Sequence, residues 1–384
     1  MVTVPDSFFT VEPTGVPGGP RVGLLRIAPG VEVPTPAFMP VGTVGSVKGL
    51  WQEDLEEIGY NLILGNTYHL FLRPGHELIR ERGGLHGFMA WRGGILTDSG
   101  GYQVFSLSDR VKFLENGVEF ASHIDGSRHQ FTPERVIDIQ RALGSNIMMV
   151  LDDCPPGDAE PERVAQSLDR THRWARAAAD YYERLVSSGQ LDPTRQRVFG
   201  IAQGCMDLDR RAESLDVIQE QRFAGIAIGG LSVGESREAM YRVLDFLGPR
   251  MDPARPHYLM GVGAIPDLLE AIRNGVDMFD CVLPTRNARN GQLFTSRGKI
   301  NIRNRQYADR DEPPDPACKC RVCQRYSLAY LRHLFQAGEM LGPMAATYHN
   351  LHFLRDFMAA ARDAIRAGRF SEFYIHWKKI EESA

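Results

Sequence analysis

Eight short runs of apolar or β-branched residues recur along the chain, separated by segments with helical periodicity. Strands that alternate with helices pair in parallel, so the pattern indicates an α/β fold. Eight such units over about 250 residues are the number needed for a (β/α)8 TIM barrel, which we favour over a doubly wound sheet with similar local patterns. The runs are residues 35–41, 61–64, 94–96, 147–151, 198–202, 225–228, 257–260 and 276–279.

The segments between the runs carry helix signals. Residues 133–143 follow Thr132, a good capping residue, and end before Gly144. Residues 161–186 repeat apolar side chains at helical spacing and are followed by Gly189, and residues 267–273 show the same pattern. The helices required by the alternating units are therefore predicted.

Composition excludes several classes of protein. With 43% hydrophobic and 24% charged residues, the chain is typical of globular proteins and unlike disordered ones. It has neither an apolar run of about 18 residues nor the pattern of a signal peptide at its start. We expect a cytoplasmic protein without membrane contact.

Positive charge is concentrated in residues 286–332, where eleven Lys or Arg stand against four Asp or Glu, although the whole chain has a net charge of -4. A solvated surface would explain such a stretch. A binding face for a polyanion would explain it equally well.

Polar residues follow most of the apolar runs. In a parallel barrel the carboxyl ends of the strands meet at one mouth, where active sites are built. Each acid could instead cap the helix that follows it. The residues are Asn66, Asp98, Asp152 with Asp153, Gln203, Gly229 with Gly230, Gly261 and Asp280.

Three cysteines, Cys318, Cys320 and Cys323, lie within six residues and are followed by His349. Three thiolates and one imidazole fill a tetrahedral Zn²⁺ shell, which leaves no open position and marks a structural site. His352 and His333 are competing candidates for the fourth ligand. We predict one structural Zn²⁺ per chain, with residues 1–300 forming the catalytic barrel and residues 301–384 a C-terminal zinc-binding subdomain whose helices pack on it.

Two further segments place carboxylates at strand ends. Asp98 precedes a Ser-Gly-Gly turn and Tyr102, whose ring could stack on a flat group. Asp280 ends the last run and leads into Arg286 and Arg289, whose guanidinium groups can hold phosphate.

Two carboxylates at one mouth suit displacement at an anomeric carbon, with one as nucleophile and the other managing the proton of the leaving group. Asp152, Gln203 and the Gly229-Gly230 amides could read the edge of a purine by hydrogen bonds. The residues alone therefore favour a displacement reaction at a nucleoside that is part of a polyanion.

Over essentially its whole length the sequence resembles the bacterial tRNA-guanine transglycosylases, of the queuine tRNA-ribosyltransferase family. The resemblance implies an irregular (β/α)8 barrel with a zinc subdomain, usually a homodimer. The matching segments are residues 64–70, 97–105, 229–235, 257–263, 279–291 and the zinc set.

The resemblance also implies a role for each matching residue. Asp280 would be the nucleophile that bonds to the ribose, and Asp98 the general acid and base. The residues that recognise the base would be Asp152, Gln203, Gly230 and Leu231, and Tyr102 and Met260 would sandwich it. Arg286 and Arg289 would bind RNA. Zinc would be bound by Cys318, Cys320, Cys323 and His349.

The implied reaction replaces guanine at the wobble position, 34, of tRNAs with GUN anticodons by 7-aminomethyl-7-deazaguanine (preQ1), in queuosine biosynthesis. Its partners would be the tRNA anticodon loop and the 7-deazaguanine base. Cys154 and Val233 are the residue types of the bacterial enzymes, which favours preQ1 over the bulkier queuine.

Two positions depart from the familiar pattern: Ala264 stands where a Lys is common, and Asp153 where a Glu is common. The first puts one RNA contact in doubt, and the second a hydrogen bond near the base. Two other readings stay open. A barrel metallohydrolase acting on a purine would need His and Asp ligands at several strand ends, and a non-catalytic zinc RNA-binding protein would not need Asp98 or Asp280.

Overall fold

The computed structural model describes residues 7–13, 18–108 and 110–383. Its centre is a closed parallel barrel of eight strand positions, the first interrupted at Pro40. We number these barrel strands one to eight in chain order: Ala37–Met39 with Val41–Gly42, Leu62–Gly65, Gly94–Thr97, Ile147–Met149, Arg197–Ala202, Gly225–Ile228, His257–Leu259 and Met278–Asp280.

Strand pairing closes the barrel. Barrel strand eight pairs in parallel with strand one, Phe279 opposite Phe38, and strand one pairs with strand two, Val41 opposite Leu64. Residues of barrel strands two, three, four and six are all buried, because the barrel interior covers one face and the helices the other. All eight predicted runs form barrel strands, and the TIM-barrel prediction is confirmed.

Helices surround the barrel and form most of the C-terminal region. The predicted helix at residues 133–143 begins where the Thr132 hydroxyl accepts from the Arg135 N–H, and it ends at left-handed Gly144. No described helix is long and apolar enough to cross a membrane. The helices are Gln52–Ile58, Thr67–Leu72, His76–Glu81, Gly84–Met89, Gly101–Leu107, Pro133–Leu143, Pro161–Ser187, Leu208–Glu220, Arg237–Leu247, Ile265–Arg273, Leu283–Arg289, Arg321–Arg325, Leu328–Ala337, Leu341–Arg366 and Phe370–Ser383, with 3₁₀ turns Gly248–Arg250 and Arg305–Tyr307.

Three small antiparallel sheets interrupt the alternating pattern and were not predicted. One precedes the barrel, one is inserted after barrel strand three, and one follows the helix after strand eight. The Asn116-Gly117 pair is an ordinary hairpin signal that could have revealed the second. The sheets comprise Phe9–Val11, Gly23–Ala28 and Val31–Thr35; Val111–Leu114, Gly117–Ala121 and Arg128–Phe131; and Gln292–Thr295 and Gly298–Asn301.

A buried ion pair lies at the amino ends of barrel strands seven and eight. Arg21 donates to both carboxylate oxygens of Asp277, at 3.1 and 2.5 Å, and the backbone N–H of His257 donates to Oδ2 at 2.7 Å. The strand-end carboxylates of the predicted site are at the opposite ends of these strands. Arg21 is therefore a buried arginine that lies far from the mouth of the barrel.

Candidate active site

The predicted strand-end residues converge on the mouth at the carboxyl ends of the barrel strands. Asp98 directly follows strand three, Gln203 follows strand five, Gly229 follows strand six, and Asp280 ends strand eight. Asp98 is close enough to Asp280 and Asp152 for both charges to raise its pKa. The structure thus brings the three predicted carboxylates together.

Two residues following barrel strand two hold Asp98. The side-chain amide of Asn66 donates to Oδ2 at 2.5 Å, and the backbone N–H of Thr67 donates to Oδ1 at 2.8 Å. The Thr67 hydroxyl also donates to the Asp98 carbonyl oxygen at 2.5 Å. Asn66 was noted in the sequence as a strand-end residue, whereas Thr67 was missed because it reads as ordinary first-turn helix.

Asp280 has one engaged and one available carboxylate oxygen. Oδ1 accepts from the Tyr258 hydroxyl at 2.6 Å and from the Gly261 N–H at 2.8 Å. Oδ2 accepts no hydrogen bond from any residue that the structure describes. Tyr258 lies inside barrel strand seven and was missed, because a tyrosine within an apolar run looks like core.

Asp152 and Gln203 form a buried hydrogen-bonded pair beside these groups. Nε2 of Gln203 donates to Oδ2 of Asp152 at 2.7 Å, and the Ser99 hydroxyl donates to Oδ1 at 3.3 Å. Oε1 of Gln203 is buried without a partner among the described residues. A Cβ on Gly230 would stand 2.3 Å from that oxygen, so only glycine permits this approach.

Burial sets the protonation behaviour of the carboxylates. It raises the pKa of Asp98 to about 7, with a smaller opposing effect from the Thr67 N–H. It raises the pKa of Asp152 to about 6, and that of Asp280 also rises despite hydrogen bonds from Tyr258 and Gly261. A group that titrates near neutral pH can both donate and accept a proton, which suits Asp98 to acid and base roles.

Gly230 and Leu231 are buried where the chain leaves barrel strand six. Neither backbone N–H donates to another described residue, whereas the Gly229 N–H is bound to Ala202 O at 3.0 Å. Buried N–H groups are nearly always paired, so two unpaired ones beside Gln203 indicate a place for ligand acceptors.

The other predicted base contacts border this region. Tyr102, in the helix Gly101–Leu107, is 52% exposed, and Met260 is half-buried after barrel strand seven. Gly157 N–H donates to Val233 O at 3.5 Å, which joins the loop of Cys154 to that of Val233. Their roles toward a base stay predictions.

The carboxylate of Asp153 is held by two arginines. It is fully buried and pairs with Arg163 at 2.5 Å and Arg170 at 2.8 Å, both on the helix Pro161–Ser187. Asp153 therefore anchors the helix that follows barrel strand four. Whether Asp153 also affects a hydrogen bond near the base stays a prediction.

The predicted RNA-binding arginines lie on the short helix Leu283–Arg289 directly after Asp280. Arg286 is exposed, and Arg289 is half-buried, with Nη1 lacking a partner among the described residues. The pKa of Arg289 is lowered by burial and by Arg286. Two adjacent cations beside a nucleophile candidate suit an anionic ligand such as phosphate.

The structure gathers Cys318, Cys320, Cys323 and His349 into one cluster that could hold a metal ion. The three Sγ atoms lie 3.8, 3.5 and 3.3 Å from His349 Nδ1. A tetrahedral zinc shell would give S–N edges of about 3.6 Å. Nε2 of His349 donates to Phe294 O at 2.7 Å, which leaves Nδ1 as the ligand atom.

The competing histidines fit less well. Nδ1 of His352 is 4.0 Å from Cys318 Sγ and 3.1 Å from Asp356 Oδ2, so it has another partner. His333 is exposed. The donor set agrees with a structural zinc site.

Asn350, next to the metal-site histidine, ties this region to the mouth. Its amide nitrogen donates to Pro284 O and Gln292 O, each at 3.0 Å, and its oxygen accepts from the Phe294 N–H at 3.0 Å. Pro284 belongs to the helix that follows Asp280. One buried side chain therefore connects the subdomain helix Leu341–Arg366 to the catalytic end of the barrel.

Comparison with known proteins identifies the family of the chain. The family model described as "Queuine tRNA-ribosyltransferase" matches residues 17–383. A protein of that name from Leptospira biflexa is 53% identical over 360 residues, covering 94% of this chain and 95% of the relative. A relative of the same name from Oleidesulfovibrio alaskensis is 53% identical over 380 residues, covering 99% of this chain and 98% of the relative. Another from Zymomonas mobilis is 50% identical over 356 residues, covering 93% of this chain and 91% of the relative.

Proposed function

The chain belongs to the queuine tRNA-ribosyltransferase family and is a pentosyltransferase, and from this premise we propose that it exchanges the guanine at tRNA position 34 for preQ1. The substrates are tRNAs with GUN anticodons, and the reaction is a step of queuosine biosynthesis in the cytoplasm. One observation carries the proposal: Asp98 and Asp280 share one mouth with different hydrogen-bond environments.

The first half-reaction breaks the glycosidic bond. Oδ2 of Asp280 attacks C1′ of the ribose, the C1′–N9 bond breaks with its electron pair passing to guanine, and protonated Asp98 supplies the proton that guanine takes up. The Tyr258 hydroxyl and Gly261 N–H orient the nucleophile through Oδ1. The product is a covalent ester between the enzyme and the ribose.

The second half-reaction reverses these roles. Ionised Asp98 accepts the N9 proton of the incoming base, N9 attacks C1′, and the ester bond to Asp280 breaks. A pKa of about 7 allows Asp98 to serve in both directions near neutral pH. Kinetics should be ping-pong.

Base selection uses the buried side of the mouth. Asp152 accepts from the ring N–H and exocyclic amine of guanine or preQ1, and Gln203 with the Gly230 and Leu231 N–H groups faces the oxygen at position 6. Tyr102 and Met260 sandwich the base. Cys154 and Val233 border the aminomethyl group, and Arg286 and Arg289 bind the anticodon-loop backbone.

The metal site is proposed to hold one Zn²⁺, bound by Cys318, Cys320, Cys323 and His349. Zinc there supplies folding energy and no reaction step, since four protein ligands fill its shell. We keep residues 1–300 as the catalytic barrel and 301–384 as the zinc-binding subdomain, and a homodimer as the assembly.

The two other readings have less support. Among the described residues, the one cluster able to hold a metal ion is the Cys-His set, and it contains no strand-end carboxylate of the kind that a metallohydrolase needs at the mouth. A non-catalytic RNA-binding protein leaves Asp98 and Asp280 without a purpose.

A base-exchange assay tests the proposal. Radiolabelled guanine should enter a tRNA with G at position 34, unlabelled preQ1 should displace it, and queuine should not. Asp280→Ala should abolish exchange and the enzyme–tRNA adduct that survives denaturation, whereas Asp309→Ala, at an exposed carboxylate in the basic stretch, should retain both. Adduct formation by Asp280→Ala would refute the role of Asp280.

A further inference from the structure

Arg211 is a fully buried arginine beneath the base-reading residues. It lies on the helix Leu208–Glu220 after barrel strand five, and its side chain is 0% exposed. It forms no ion pair with any carboxylate that the structure describes. Burying a cation is costly unless its donors are paired, so the hydrogen-bond partners of Arg211 indicate its role.

All of its partners are backbone carbonyl oxygens at the ends of barrel strands five and six. Four oxygens surround the planar guanidinium, which is suited to several acceptors in one plane. They are Cys205 O at 2.8 Å from Nε, Ala202 O at 3.1 Å and Gly229 O at 2.8 Å from Nη1, and Gly230 O at 3.2 Å from Nη2.

Two of these carbonyls belong to the peptide groups that carry the unpaired N–H donors. The Gly229 carbonyl shares a peptide with the Gly230 N–H, and the Gly230 carbonyl shares one with the Leu231 N–H. A cation bound at a carbonyl oxygen draws electrons through the peptide and strengthens its N–H as a donor. The charge of Arg211 is thus transmitted to the face where the base binds.

We propose that Arg211 is a positioning residue that fixes and polarises the Gly230 and Leu231 N–H groups, so that they stabilise negative charge on the oxygen at position 6 of the departing base. This inference rests on the proposed function. When the C1′–N9 bond breaks, its electron pair delocalises over the purine onto that oxygen. Donors fixed in advance at such a position are an effective form of transition-state stabilisation.

Placement beside Asp152 agrees with this role. Gln203 contacts Asp152 through Nε2 and Gly230 through Oε1, so the glycine amides lie next to the carboxylate that reads the ring N–H. In guanine, the oxygen at position 6 is adjacent to that ring N–H. The polarised donors and the carboxylate therefore meet neighbouring atoms of one base edge.

The test compares guanine with 2-aminopurine, which lacks the oxygen at position 6, in wild-type and variant enzymes. Arg211→Met removes the charge, Arg211→Gln keeps neutral donors, and Arg211→Lys keeps the charge while reaching fewer carbonyls. Arg21→Met is the matched control, because Arg21 is a buried arginine at the opposite end of the barrel. The measurements are Kd for both bases, kcat and KM for guanine exchange, and the midpoint of urea unfolding.

In every folded Arg211 variant the loss of affinity should be confined to guanine. We expect the preference for guanine over 2-aminopurine to fall about tenfold. We also expect kcat to fall by less than the 100-fold to 1,000-fold that is typical of losing a direct hydrogen-bond donor. Arg211→Lys should lose less than the neutral variants. Arg21→Met should lower the unfolding midpoint and keep the preference.

Equal weakening of both bases, or an unchanged preference in a folded Arg211 variant, would overturn the inference and leave Arg211 a purely structural residue. If the neutral variants do not fold, Arg211→Lys decides by the same comparison. Failure of the proposed function is a separate result, since wild-type enzyme would then show neither guanine exchange nor a preference for guanine.

Discussion

The hydroxyl of Tyr258 donates a 2.6 Å hydrogen bond to Oδ1 of Asp280. Burial raises the pKa of Tyr258 well above its ordinary value, so the hydroxyl keeps its proton and remains a donor. With the Gly261 N–H on the same oxygen, Oδ2 is the oxygen left to react. The orientation of the proposed nucleophile is therefore set by barrel strand seven and the turn that follows it.

Tyr258→Phe should slow formation of the covalent adduct by about 10-fold to 150-fold, since a hydrogen bond to a charged group contributes about 1.5 to 3 kcal/mol. This bond lowers the pKa of Asp280, so its loss should move the acid limb of the kcat/KM profile to higher pH. Single-turnover assays across pH measure both effects. Tyr182→Phe is the control, because that hydroxyl lies on the helix Pro161–Ser187 and donates to Gln196 O. An unshifted acid limb in Tyr258→Phe would contradict the assignment.

Asn66→Ala should move the alkaline limb of the kcat/KM profile for tRNA to higher pH. The Asn66 amide donates to Asp98 and favours its ionised form, so removal raises the pKa of Asp98 above about 7. The proton-donating form then persists to higher pH. Asn61→Ala, which loses only a bond to Glu32 O, should leave the limb in place, and the same limb in both variants would argue against Asp98 as the acid.

His349→Ala should purify with little zinc and a lowered unfolding midpoint, because Nδ1 of His349 completes the ligand set. His352→Ala, whose imidazole pairs with Asp356, should keep its zinc. Metal analysis and thermal unfolding distinguish the two. Chelation should likewise unfold the protein; a chelated enzyme that is folded but inactive would indicate a catalytic metal.

Asn350→Ala should lower the free energy of unfolding by about 2 to 4 kcal/mol, because it removes hydrogen bonds to three buried or half-buried backbone groups. Adduct formation should also slow, because the helix beginning at Leu283 loses its tie. Urea titration and single-turnover assays measure these losses. Asn304→Ala, at an exposed position in the same subdomain, should change neither. An Asn350→Ala enzyme as stable and as active as the wild type would contradict the inferred connection between this region and the mouth.

The barrel could be predicted from the sequence because most barrel strands are buried apolar runs separated by segments with helical periodicity. Thr132 and Gly144, for instance, mark both ends of one helix. The cysteine cluster was equally predictable, since close spacing limits the chemistry. The small antiparallel sheets were missed because strands of three to six residues give little periodicity.

The residues that hold the proposed catalytic groups were less predictable, because they depend on contacts between residues distant in sequence. Tyr258 reaches Asp280 across 22 positions, and Thr67 reaches Asp98 across 31. Arg211 reads as a charge on an amphipathic helix, and only the fold shows that it is buried. Hydrophobic periodicity indicates which side chains are buried. It does not indicate which carbonyl oxygens a buried cation binds.

Barrel closure joins residues separated by most of the chain, with Asp280 opposite Met39. Pairing between residues so far apart must overcome a large loop-closure entropy, which slows folding. Asp280 takes its place at the mouth only when this pairing forms. A chain that stopped before barrel strand eight would therefore have neither a closed barrel nor the last of the mouth carboxylates.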